Sequence, residues 1–192
     1  MPPKAKFTKN EIINAGLEIV RRDGFEALTA RALGAELGSS ARPVFTVFES
    51  MEEVQNEVIS AARSLYGAYQ ERGLNERNAF KGSGLGYIRF AAEQPKLFQL
   101  LFMKEAQDVP DLDNVLRQID EYYDKIIAAV QSEYGFCHST AKKLYLHMWI
   151  YSHGIAVLLA TNVCKFTEKE ISDMLTAVCV GLIRHFKEEE ND

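Results

Sequence analysis

The chain is expected to be all α-helical, with about nine helices and a helix-turn-helix at its N-terminal end. Three observations predict this. Apolar residues recur every three to four positions over most of the 192 residues. Only five prolines and twelve glycines interrupt those stretches, and a 47% hydrophobic composition is ample for packed cores. Residues 28–48, LTARALGAELGSSARPVFTVF, read as two short helices joined by a tight turn at Gly38.

Taken in order, Lys4, Lys6 and Lys9 surround a capping box formed by Thr8 and Glu11. Ile12, Ala15 and Ile19, with Ile13, Leu17 and Val20, give the first helix its inner face, and Gly24 follows its end. A basic arm ahead of this helix could touch phosphate or minor groove, or could simply be a solvated terminus. In the next pair of helices, Thr29 and either Ser39 or Ser40 are placed to cap the two starts. Ala32, Leu33 and Leu37 face inward from the first, and Val44, Phe45 and Phe48 from the second. Pro43 falls in the first turn of the second helix, where its missing N–H has no intrahelical partner to lose.

Ser40, Ala41, Arg42 and Thr46 are then left on the free face. A short helix presenting small, hydroxylated and cationic groups suits a DNA major groove, where Arg reads guanine and Ser or Thr reaches bases or phosphates. From this segment alone a helical hairpin in a plain bundle remains the alternative.

The residues on either side of the pair decide between them. The pattern F7-T8-x-x-x-I12-I13-x-A15-x-L17, G24-F25-x-x-L28-T29, L33-G34-x-E36-L37-G38 and V44-F45-x-x-F48-x-S50-M51-E52-E53 resembles the N-terminal DNA-binding domain of the TetR/AcrR family of transcriptional regulators. The resemblance implies a DNA-binding domain over 1–49 and a ligand-binding and dimerisation domain over 50–192. Its candidate DNA contacts are Thr29, Arg31, Ser39, Ser40, Ala41, Arg42, Phe45, Thr46 and Ser50. The sequence departs from the family at Phe45, often Tyr, and Met51, often Lys, so neither side chain can bond a phosphate. Backbone N–H groups near Ser50 could still do so.

Charge distribution agrees with that division. The net charge is −5, yet residues 1–48 hold seven lysines and arginines against five acidic residues, leaving seven net negative charges elsewhere. The basic end is the expected DNA face.

Beyond the motif, Ser50 and Glu53 open a helix expected to run to about Arg72 and stop at Gly73, with Val54, Val58, Ala61, Leu65 and Tyr69 on one stripe. In the resembled family this helix carries the ligand signal. The following helix, Asn75 to Glu93, contains Gly82, Gly84 and Gly86, which imply either close helix packing or a movable pocket wall. A break before Pro95 separates it from a short helix ending near Met103.

The run from Tyr87 to Met103 and the motif Trp149-x-x-x-His153-Gly154 resemble the C-terminal domain of one TetR branch. By that resemblance Phe90, Phe98, Phe102, Met103, Tyr122, Trp149 and His153 line an effector cavity, although aromatic stripes at helical spacing also make solid core. Such a lining suits a small apolar or aromatic effector, and His153 reads as a buried, hydrogen-bonded histidine. A single helix is expected from Asp111 to Tyr134, with Leu112, Val115, Ile119, Tyr122, Ile126 and Val130 inward, ending at Gly135. Two long helices follow, Ser139 to Asn162 and Glu168 to Lys187, the second opened by Thr167 and Glu170. Their apolar faces, with Ile171, Met174, Val178, Leu182 and Phe186 on the last, suit a four-helix interface between two copies. The tail from Glu188 to Asp192 reads as acidic and disordered.

No phosphate loop, nucleophile elbow, HExxH or CxxC is present, so no enzyme activity, catalytic residue, metal site or cofactor is expected. His147 and His153, six apart, do not share a helix face. Cys137, Cys164 and Cys179 are widely spaced and expected to be reduced and mostly buried. With no apolar run of membrane-spanning length and no signal sequence, a cytoplasmic chain is expected. The reading is a repressor that binds a pseudo-palindromic DNA operator as a homodimer and is released by an effector. The alternatives are a ligand-binding helical dimer without specific operator binding, or a ligand-independent DNA-binding protein or activator.

Overall fold

Thr8 begins the fold as the sequence requires. Its hydroxyl accepts the Glu11 N–H while the Glu11 carboxylate takes the Thr8 N–H, so the box closes and α1 runs Lys9–Asp23. The computed structural model describes residues 6–105, 109–112 and 114–189. Among these it is all-helical, with α2 at Ala30–Glu36, α3 at Met51–Leu74, α4 at Ala79–Glu93 and α5 at Pro95–Phe102. The remaining helices are α6 Val115–Ile119, α7 Tyr123–Tyr134, α8 His138–Ala160 and α9 Glu168–Glu189.

Packing groups the chain differently from a division at 49/50. The first unit contains the chain up to Tyr66 together with Gln94–Lys104, and the second contains Gly67–Glu93 and the chain from Glu105 onward. Helix α3 contributes to both.

In the first unit α1 packs on α2 and on α5. Ile12, Ile19, Val20, Leu28, Leu33, Val44, Phe48, Val54, Val58, Leu97 and Phe98 are buried. A Cβ built on Gly16 would lie 2.6 Å from Val58 Cγ2, so the α1–α3 approach depends on that glycine. Phe102 closes the cluster, 5.0 Å from the Tyr66 ring and 5.2 Å from Phe98.

In the second unit α4 is central, packed on α7, α8 and α9, with α7 and α9 also against α8. Gly82 and Gly86 explain how it gets there. A Cβ on Gly82 would come 2.0 Å from the Gly73 carbonyl oxygen, and one on Gly86 2.7 Å from the Tyr69 oxygen. Close packing is therefore the reason for these two glycines. Gly84 has only ordinary contacts, the nearest at 3.8 Å.

Several boundaries depart from expectation for local reasons. Helix α3 passes through Gly73 to Leu74. Helix α4 starts at Ala79, where the Asn78 side chain accepts the Lys81 N–H at 2.6 Å and the Glu133 carboxylate the Phe80 N–H at 3.2 Å. The single helix expected over 111–134 is two. Asp120 is extended (φ −122°, ψ 108°), and its carboxylate accepts the Tyr122 N–H at 2.8 Å and the Tyr145 hydroxyl. That side chain offers the backbone an alternative to the helical ladder. The inward set shifts accordingly: Leu116, Tyr123, Ile126, Ile127 and Val130 are buried, whereas Leu112 is 65% exposed. Gly135, at φ 75°, ends α7 in the left-handed conformation.

The tail expectation is corrected where it can be compared. Glu188 and Glu189 continue α9, with Glu188 accepting from Arg184 at 3.0 Å, and residues 190–192 lie outside the described set. Lys4 also lies outside it. The cysteines are not mostly buried: Cys137 and Cys164 are exposed and Cys179 is partly so. Hydrogen bonds with Ser139, then Thr140, bring the Cys137 thiol down to about 7. No helix among the described residues is long and apolar enough to cross a membrane.

Candidate DNA-reading surface and body

The candidate reading surface is built around a glycine. Thr29 caps α2 by accepting the Ala32 N–H at 3.2 Å, and α2 then carries Gly34 against the turn that follows. A Cβ at Gly34 would lie 2.8 Å from both the Ala41 nitrogen and the Ser40 carbonyl carbon. The Ser39 N–H donates to the Gly34 oxygen at 2.8 Å, and Gly38 makes the reversal at φ 61°. Backbone therefore packs on backbone, and the segment from Ser39 to Ala41 lies directly against α2.

That segment is not the regular α-helix the spacing predicts. It is a chain of turns with a 3₁₀ helix at Val44–Thr46. The bonds run from Val44 to Ala41, Thr46 to Pro43 and Val47 to Val44, each three residues back. Pro43 contributes by lacking an N–H, so the bond four residues back that an α-helix would make at that position cannot form. The Thr46 hydroxyl, donating to the Pro43 oxygen at 2.7 Å, also favours the tight turn.

The turn brings most of the candidate contacts to the surface. Ser40, Arg42, Phe45 and Thr46 are exposed, Ser39 and Ala41 are half-buried, and Thr29, Arg31 and Ser50 are exposed nearby in the chain. Phe45 is the correction here: expected inward, it is 45% exposed, while Val44 and Phe48 are buried. The tighter 3₁₀ winding accounts for its displacement from the apolar face. At the start of α3, Ser50 accepts the Glu53 N–H at 3.1 Å and the Glu53 carboxylate takes the Glu49 N–H at 2.8 Å. The amides expected to be open to phosphate near Ser50 are thus already engaged at these two positions.

The effector candidates divide between the units. Phe98, Phe102 and Met103 belong to the first, where Phe98 is core and Met103 is 41% exposed. Phe90, Tyr122, Trp149 and His153 belong to the second. Phe90 is fully buried against Tyr69, with ring centroids 5.4 Å apart. Tyr122 projects from the α6–α7 break onto α3, so that a Cβ at Gly67 would lie 2.7 Å from its hydroxyl.

Trp149 and His153 are brought together on α8, stacked at 5.1 Å with 17° between planes. His153 Nδ1 lies 2.8 Å from the Tyr87 hydroxyl. Burial lowers the His153 pKa from 6.5, favouring a neutral ring that can accept that hydroxyl. Burial raises the Tyr87 phenol and the Asp120 carboxyl, both of which are thereby biased toward their protonated forms. Tyr87 and Asp120 are buried polar groups of this interior that sequence reasoning does not single out. Tyr87 opens the Tyr-x-x-Phe-Ala run, which was a usable signal, whereas nothing in the spacing marked Asp120.

The outer faces of α8 and α9 carry exposed apolar groups, Ile150 and Leu158 on one and Val180 on the other. Gly154 and Gly181 lie among them with no atom within 4 Å of a built Cβ.

Comparison with known proteins supplies the family. Residues 80–182, more than half of the chain, match the tetracyclin repressor-like C-terminal domain. An uncharacterized HTH-type transcriptional regulator of Mycobacterium tuberculosis is 24% identical over 190 residues, covering 94% of this chain and 84% of the relative. With the body matched over more than half of the chain, the chain belongs to the tetracyclin repressor-like transcriptional regulators.

Proposed function

We propose that this regulator is a repressor that binds a pseudo-palindromic DNA operator as a homodimer and is released by a small apolar or aromatic effector. The observation that carries the DNA-binding part is the exposed row Ser40, Arg42, Phe45 and Thr46 on a turn locked to α2 at Gly34. A rigid polar turn can enter a major groove without ordering on contact, with Arg42 directed to guanine or phosphate. Dimerisation through α8 and α9 is supported by the apolar groups and accessible glycines on their outer faces. Two copies then present half-sites roughly 34–36 Å apart. Membership of the Trp-x-x-x-His-Gly branch is part of this reading, supported by the Trp149–His153 stack.

Effector release operates through differential binding to two arrangements of the body, a coupling of about 1–3 kcal/mol sufficing for 5–150-fold regulation. The long helix α3, which contributes to both units, is the element available to carry it. The direct test is selection of bound duplexes from a random pool at about 150 mM salt, where non-specific phosphate attraction is weakened. A recovered pseudo-palindrome supports the reading, and Arg42→Ala then costs about 1–3 kcal/mol of specific binding. Recovery of no preferred sequence sinks it.

A further inference from the structure

The candidate reading surface includes a cation from a distant part of the chain. Lys6 Nζ donates to Ser39 Oγ at 3.0 Å across thirty-three positions. The same ammonium lies 5.1 Å from the Phe7 ring centroid, and Phe7 is half-buried beside the first helix. Ser39 is itself fixed, because its N–H bonds the Gly34 oxygen and its carbonyl lies 3.1 Å from a Cβ built there. The lysine is thus anchored at the entry to the turn carrying Ser40 and Arg42.

We propose that Lys6 is a phosphate-binding residue of the DNA-reading surface, positioned by Ser39 beside the turn that carries Arg42. The assignment rests on the DNA-binding reading above. An ammonium has three N–H donors, and a serine hydroxyl accepts one while leaving the charge intact for phosphate. The hydroxyl draws the side chain out of the rotamer ensemble of a solvated terminus before DNA arrives. Lys6 is exposed, as a contact to an incoming backbone requires. Phosphate contacts of this kind set register and affinity and carry no base preference.

The test uses the full-length chain with Lys6→Ala and Lys6→Arg, titrated on the most enriched selected duplex and on a random-sequence duplex of equal length. Loss of one phosphate contact lowers the slope of log affinity against log salt by about 0.9, so the Lys6→Ala deficit is about three- to fourfold larger at about 50 mM than at about 200 mM salt. Lys6→Arg retains the wild-type slope, and the preference for the selected duplex is unchanged in both variants. A wild-type slope in Lys6→Ala overturns the assignment. If the wild-type chain binds both duplexes equally, operator recognition fails while the random duplex still reads the Lys6 slope. Binding to neither duplex overturns both.

Discussion

Two glycine crossings hold the molecule together, and they leave different surfaces outside. In the first unit Gly34 lets α2 meet the turn at Ser40 and Ala41, and the opposite side of that turn is hydroxylated, cationic and exposed. In the second unit Gly73, Gly82 and Gly86 let α3 and α4 meet backbone to backbone, and the outer helices α8 and α9 expose Ile150, Leu158 and Val180. Both crossings exploit the missing Cβ. What differs is the far face, polar and cationic on one and apolar on the other. Close packing is therefore common to both units, and what distinguishes them is the chemistry that packing leaves facing outward.

The largest expected effect breaks the body crossing. Gly82→Val forces side-chain atoms into the Gly73 carbonyl and is expected to cost about 3 kcal/mol, the upper end of the overpacking range, in chemical denaturation. An unchanged midpoint would show that α3 and α4 separate without cost. The equivalent change in the first unit, Gly34→Ala, meets backbone at 2.8 Å and is expected to cost about 1–3 kcal/mol. Because the displaced atoms belong to Ser40 and Ala41, it should also weaken binding to the selected duplex, whereas Gly82→Val in a still-folded fraction should leave base preference intact. Equal loss of base preference in both variants would erase the distinction between the regions.

A smaller effect sharpens the polar interior of the body. The His153 pKa is depressed below 6.5 by burial, so the stability it contributes is fully present above that value and is lost as pH falls through the lower folded value. The unfolded chain takes up the proton more readily than the folded one. The expected result is a decline in Tm between about pH 7 and pH 5 that is shallower in His153→Gln, which keeps an acceptor for Tyr87. Parallel curves would mean that the imidazole titrates alike in both states. The smallest change serves as the control for Gly82. Gly84→Ala adds a methyl with its nearest neighbour at 3.8 Å, and removing glycine from a helix should stabilise by about 0.5–1 kcal/mol.

The sequence was most informative where a structure depends on neighbours in the chain. The boxes at Thr8–Glu11 and Thr167–Glu170 form as the spacing requires. The left-handed glycine at 135 also lies where the sequence ends a helix. Legibility failed where a local competitor was hidden among helix formers. Asp120 looks like a surface carboxylate in a periodic run, yet its bonds to the Tyr122 N–H and the Tyr145 hydroxyl break the helix. Pro43 fits a first turn, but the bonds from Val44, Thr46 and Val47 run three residues back, so the expected α-helix is wound as 3₁₀ and Phe45 is exposed.

By itself, then, the sequence determined the all-helical class, the positions of most helices and the family motif, because capping and amphipathic periodicity act over three or four residues. Only the tertiary structure decided that residues 94–104 pack with the first unit and that Gly82 and Gly86 serve close packing while Gly84 does not. It also decided that Lys6 reaches Ser39 and that His153 meets Tyr87. Those outcomes depend on which surfaces approach within a few ångströms across dozens of residues, and periodicity carries no information about that approach.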